Sequence, residues 1–294
     1  MGTAPQASHS PLKTSPHYSP IALWHLLSVD APTVATLWTW FIARVNHIHL
    51  PASSIAAMFL AVWTLYAADR LLDARLLDAR LLDARLLDAR LLSAPPLDAA
   101  TLEARHHFHH RHRRAFLTGI VFTSIALAIL LPRLEPAAIR LYLILGGLVF
   151  GYFILIHATQ NSHRYPKELA VGICFAAAIF IPTVARQPAL RLALLPSALL
   201  FAALCSLNCL FIYAWEHPPQ PHPLPLLAII LTLTSTALAL FDHQSPWPIS
   251  AATALAAALL LTLHHFSRRI PATPLRAAAD LALLTPLLLL PFLR

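Results

Sequence analysis

Few residues in this chain can do chemistry, and they gather at the ends of apolar runs. Asp69 and Asp73 close the run 54–73, SIAAMFLAVWTLYAADRLLD. A spacing of four puts both carboxylates on one helical face, one turn apart, where they can hold a hard cation. Paired carboxylates at the mouth of a membrane span are a functional hypothesis by default, because ionisable groups are costly there. The plainer alternative is that they pair with Arg70 and solvent at a helix end. Asp30, ahead of the first apolar run, reads either as a helix cap or as a further functional acid. Asp280 lies within the last apolar run with no evident partner, and it raises the same question as the paired acids.

Polar and basic candidates complete the set. Asn208 sits inside an apolar run and Glu216 at its end. Asn208 can equally be interhelical glue, since polar side chains hydrogen-bond across membrane helices. Arg164 and Lys167 form a short basic loop that also serves as an ordinary topology determinant. The run 105–114, RHHFHHRHRR, puts His106, His109, His110 and Arg113 on one helical face. It lacks Cys, Asp or Glu to complete a structural zinc site, and its four arginines repel a cation. Anion or lipid-headgroup binding suits a basic cluster beside a membrane better. Cys174, Cys205 and Cys209 all fall within apolar runs and read as small core side chains.

Composition sets the scaffold for these groups. The chain has 294 residues, of which 58% are hydrophobic and 12% charged, and its mean hydropathy is +0.65. Soluble domains carry roughly 25% charged residues, so this is the composition of a polytopic membrane protein. Nucleic-acid binding is not indicated despite the net charge of +8, because the basic residues are spread over membrane flanks. Residues 1–20 are polar, rich in Ser, Pro and His, and read as a disordered cytoplasmic tail without a signal peptide. Nine apolar runs reach about 16–20 residues: 31–48, 53–68, 115–131, 139–157, 169–184, 192–213, 224–241, 248–263 and 277–293. The expected fold is therefore all-α, a bundle of about nine transmembrane helices over 21–294. With the N-terminus inside, Arg44, Arg133, Arg140, Arg186, Arg191 and Arg294 lie outside, and the other fifteen of the 21 basic residues lie inside. That bias predicts insertion in the cytoplasmic (inner) membrane with the chemistry-bearing residues on the cytoplasmic face.

The loop expected at 70–114 contains a repeat: LLDAR runs from Leu71 through Arg90. The unit consists of good helix formers, and its odd period excludes a strand with one apolar face. Each five-residue step turns a helix by about 140° net, so the leucine pairs spiral around it without forming a coiled-coil seam. Arg70/Asp73 and the equivalent pairs can add only about 0.2–0.5 kcal/mol each. The repeat reads as a tandem expansion, with a protein-binding helix as the rival.

Three stretches give the chain a resemblance to the UbiA superfamily of intramembrane prenyltransferases. Residues 67–73, AADRLLD, resemble the end of that family's NDxxDxxxD motif, with Leu65 and Tyr66 where its Asn and first Asp stand. Residues 164–172, RYPKELAVG, resemble its basic loop leading into a helix near a glycine. Residues 208–216, NCLFIYAWE, resemble its second acidic motif through the pair Tyr213-Ala214, with Asn208 and Glu216 in place of acids. Nine spans around a cytoplasmic chamber also match that architecture.

The resemblance implies transfer of a prenyl group from a polyprenyl diphosphate to an unknown lipid-soluble acceptor, with Mg2+ as cofactor. Asp69 and Asp73 would then hold the metal, and Arg111, Arg113, Arg164 and Lys167 would stabilise the departing pyrophosphate. Asn208 would contact a metal-bound water or the acceptor, and Glu216 would be a second metal ligand. The runner-up is a non-catalytic isoprenoid- or lipid-binding membrane protein with a degenerate metal site. A transporter is a weaker third class, since the sequence shows neither convincing internal repeats of spans nor broken helices. If the LLDAR tract is an expansion without a role of its own, deleting three units leaves membrane insertion and detergent-state melting unchanged.

Overall fold

The computed structural model describes residues 19–91, 108–109, 111–159, 167–216, 223–242 and 244–292, giving the backbone alone for Ala22, 73–91, 153–159 and Thr273. Among the described residues the chain is helical and contains no strand. A short helix α1 (Pro20–Leu26) turns directly into α2 (Asp30–Val45), which is followed by α3 (Ala52–Leu91). Then come α4 (Arg113–Leu130), α5 (Pro136–Thr159), α6 (Lys167–Arg186) and α7 (Arg191–Glu216). The chain finishes with α8 (Leu224–Phe241), α9 (Trp247–Phe266), α10 (Ala272–Ala282) and α11 (Pro286–Leu289).

Among the described residues, seven segments are long and apolar enough to cross a membrane: Ala52–Leu72, Arg113–Arg133, Lys167–Arg186, Pro188–Glu216, Leu224–Phe241, Trp247–Arg269 and Pro274–Phe292. They fit a membrane-integral helical protein. The other two expected spans are helical but shorter, α2 at 16 residues and the apolar part Pro136–Tyr152 of α5. Large apolar side chains cover the outer helices, among them Phe122, Ile125 and Ile129 on α4 and Leu143, Leu148 and Phe150 on α5. In water such surfaces are costly, whereas lipid tails solvate them.

Two departures from expectation have plain local causes. The second span does not end near Ala68 but continues as one 40-residue helix to Leu91. At 1.5 Å per residue that is about 60 Å, roughly twice the hydrocarbon thickness. The LLDAR units carry no Gly or Pro to stop the helix, so the repeat extends it where a loop was expected. The last span, by contrast, is broken between α10 and α11. Pro286 has no N–H to continue the helix, and lipid offers nothing to the carbonyls that such a break frees. Trp38 Nε1 on α2 donates to the Leu283 carbonyl at 2.7 Å, and Thr285 Oγ1 donates to Ala252 O at 2.8 Å.

The core forms where α2, α6, α7, α9 and α10 meet. Trp38 and Phe201 pack with ring centroids 4.2 Å apart, and Phe41, Ile179, Leu204 and Phe211 are fully enclosed around them. The closest helix approach is between α6 and α7. A Cβ added at Gly172 would sit 2.6 Å from Ser206 Cα, with Ser206 N and Oγ closer still. Gly172→Ala improves helix propensity by about 1 kcal/mol, but it forces two backbones apart. We expect a net loss of about 1–3 kcal/mol, typical of overpacking, visible as a lower melting temperature of the purified protein.

Candidate functional site

The chain runs back and forth, so the starts of α2, α4, α6 and α10 share one end of the bundle with the ends of α7 and α9 and the 66–72 stretch of α3. Cross-helix bonds mark that end. His109 meets Ser28, Trp215 Nε1 donates to His264 Nδ1 at 3.0 Å, and Arg276 pairs with Glu216. At its centre lies a buried polar cluster contributed by five helices. His25 from α1 has Nδ1 2.5 Å from Asp30 Oδ2 and 3.7 Å from Asp280 Oδ2. Arg70 from α3 bonds Asp30 Oδ2 through Nη2 at 3.1 Å and donates from Nη1 to the His25 carbonyl at 2.7 Å. Asn208 from α7 donates through Nδ2 to Asp280 Oδ1 at 3.2 Å.

Each member reaches the cluster for a local reason. Ser28 adopts φ 58°, and this left-handed residue folds α1 back over the start of α2. Asp30 heads α2, where its Oδ1 accepts from the Ala31 N–H at 3.0 Å, so it is both a helix-start acid and an ion-pair partner. On α3, Ala67, Arg70 and Leu71 share the buried face, and that register turns Arg70 inward and leaves Asp69 exposed. Beside the cluster is a cavity of about 30 Å³ lined by Tyr66, Gly172, Phe175, Asn208, Cys209 and Asp280. A water needs roughly 10–15 Å³ by this measure, so the space holds about two. Asn208 Oδ1 and His25 Nε2 are buried and have no hydrogen-bond partner.

One donor atom each from His25, Asp30 and Asp280 lies within 4.8 Å of the others, which raises the question of a metal ion. The arrangement does not suit one. Donors about 2.1 Å from a common ion stand about 3 Å or more apart, whereas His25 Nδ1 and Asp30 Oδ2 are 2.5 Å apart and already bonded. The Arg70 guanidinium also neutralises Asp30 directly. The cluster is a charge-compensated network rather than a cation cage.

The sequence candidates divide accordingly. Asn208 and Glu216 both engage α10, Asn208 through Asp280 and Glu216 through Arg276 one turn earlier. Glu216 therefore has a cationic partner. Asp69 is exposed one residue before Arg70, and Asp73 follows one turn on in the same unbroken helix. Arg70 reaches inward to Asp30 and so bonds α3 to α2, while the Asp73 side chain lies outside the described residues. Arg111, Arg113 and Lys167 are exposed at this same end, and Arg164 lies outside the described residues. Cys205 is buried and all three cysteines are free thiols, with Cys209 on the cavity wall. The sequence reading missed His25 and Arg276. A lone charged or titratable group beside an apolar segment was the available signal, as it was for Asp280.

Asp30→Asn should strand Arg70 in a buried position and cost about 3–5 kcal/mol, the usual result of breaking a buried pair from one side. Asp30→Asn combined with Arg70→Leu should cost less than the sum of the two single changes, a coupling that a double-mutant cycle of denaturant unfolding reads directly. Comparisons with protein-family models, with curated proteins and with solved structures find no match for this chain.

Proposed function

We propose that this chain is an intramembrane prenyltransferase of the UbiA-like kind, taking a polyprenyl diphosphate at the polar end of its bundle. The observation that carries the reading is the segregation of charge. The described buried charged residues (Asp30, Arg70 and Arg276) lie at one end of an otherwise apolar bundle, beside the turn of α3 that bears Asp69 and Asp73. An amphiphile with a diphosphate head and an isoprenoid tail needs that division between a polar mouth and apolar walls. Asp69, exposed and one helical turn from Asp73, fits a Mg2+ ion shared with phosphate oxygens, as such ions are ordinarily bound. When bound, Mg2+ supplies charge neutralisation for the departing pyrophosphate. Exposed Arg111, Arg113 and Lys167 add positive charge at the same end, and by the Lys/Arg bias this end faces the cytoplasm.

A second reading, an isoprenoid- or lipid-binding protein without catalysis, is favoured by one specific feature. Asp30, Asp280, Asn208 and Glu216 are already engaged with His25, Arg70 and Arg276, which leaves them little capacity to ligate a metal. Thermal melting with geranylgeranyl diphosphate separates the two. A ligand at 100 times its Kd stabilises by about 2.7 kcal/mol. For the transferase we expect a raised melting temperature that requires Mg2+ and disappears in Asp69→Asn/Asp73→Asn. Stabilisation indifferent to Mg2+ and to that double change would transfer the assignment to the lipid binder, and no stabilisation at all would overturn both.

A further inference from the structure

The buried cluster is short of one positive charge unless His25 carries it. Three carboxylates take part: Asp30 on α2, Asp280 on α10 and Glu216 at the end of α7. Two arginines oppose them, Arg70 on α3 and Arg276 on α10. The other described groups at this end do not change that balance. Asp69 is exposed to solvent, Glu168 stands half-buried in the first turn of α6, and Tyr66 and Cys209 are neutral. His109, which packs at the Ser28 turn, is bonded to a hydroxyl. Neutral His25 could still donate from Nδ1 to Asp30, yet the Asp30 and Asp280 carboxylates would then face Arg70 alone, because Arg276 is matched by the more exposed Glu216. Imidazolium makes the count equal, which matters where desolvated charge without a partner costs several kcal/mol.

Among the described residues, few bonds besides those of His25 hold α1 to the bundle. They include Arg70 to the His25 carbonyl, Trp63 Nε1 to the Leu27 carbonyl at 3.1 Å, Trp24 Nε1 to Thr33 Oγ1 at 3.4 Å, and the Ser28–His109 contact at 3.3 Å. Ile21, Leu23 and Leu27 are exposed, so the helix is fastened mainly through its His25 and Leu26 side. Asp280 is in contact with His25 on one side and lines the 30 Å³ cavity on the other.

We infer that His25 is a proton-operated latch: its imidazolium docks α1 onto the Asp30–Asp280 pair, and loss of that proton releases α1 from it. The site thus binds a proton, and the inference stands whether or not the protein's ligand is a polyprenyl diphosphate. Burial by itself disfavours charging the ring, but the Asp280 and Asp30 carboxylates outweigh it and hold the His25 pKa above the ordinary histidine value. The sign follows. A group whose pKa is raised on docking contributes fully below its undocked value, and the contribution is lost as pH rises through the docked value. α1 is therefore docked at low pH and progressively released as pH rises from the ordinary histidine value through the docked one.

Hydrogen–deuterium exchange of the full chain in nanodiscs, read on the peptide covering residues 19–29 from pH 5.5 to 9 and corrected for intrinsic exchange, tests this without any ligand. Between the undocked and the docked pKa the protection should fall about tenfold per pH unit, the slope of one linked proton, and level off above the docked value. His25→Gln should be unprotected throughout that range. Adding Asp280→Asn to His25→Gln removes one anion, restores the charge count and should return pH-independent protection. Protection in the parent protein that does not change with pH would overturn the latch. So would a His25→Gln/Asp280→Asn protein as open as His25→Gln alone, because His25 would then act by shape and not by charge.

Discussion

The bond between Asp30 and Arg70 is the constraint from which the rest of this end of the bundle follows. It joins the first residue of α2 to the buried face of α3, and both partners are almost wholly removed from water. A guanidinium in that position fixes the rotation of α3, because turning the helix to expose Arg70 would drive Ala67 and Leu71 out of their packing against Phe116. The same rotation leaves Asp69 exposed, and the α-helical period then determines the position of Asp73. One ion pair thus sorts the acidic residues of the site into an inner set and an outer set.

The inner set ties five helices together with polar bonds in a region where apolar packing alone would leave helix positions loosely specified. Packing between membrane helices gains nothing from water exclusion, so close backbone approach and interhelical hydrogen bonds carry more of the specificity. Both devices occur here. Gly172 lets α6 lie against Ser206 of α7, and Asn208, one turn or less away, reaches across to Asp280. Trp38 serves the opposite stretch of the last span by closing the backbone gap ahead of Pro286. Broken helix, close crossing and ion-pair network therefore surround one small cavity.

Much of the architecture was legible in the sequence. All nine apolar runs became helices, seven of them of membrane-spanning length and hydropathy, because in lipid a backbone has few ways to satisfy its hydrogen bonds other than as a helix. The good helix formers of the LLDAR unit became helix as far as Leu91, although the tract was expected to lie in a loop. Asp30 and Asp280 were recognisable as acids needing explanation, simply from their place against apolar runs.

What the sequence by itself determined is local: which segments are helical and apolar, where charge interrupts them, and that Asp69 and Asp73 share one face. Only the tertiary structure decided which charges meet. Arg70 bonds Asp30 forty residues earlier. His25 and Asp280, separated by most of the chain, come within 3.7 Å. Glu216 finds Arg276, sixty residues further along the chain. The physical reason is that helix periodicity is set by bonds within a segment. The rotation and depth of each helix are set by its neighbours, and buried charges meet wherever those rotations leave opposite signs facing.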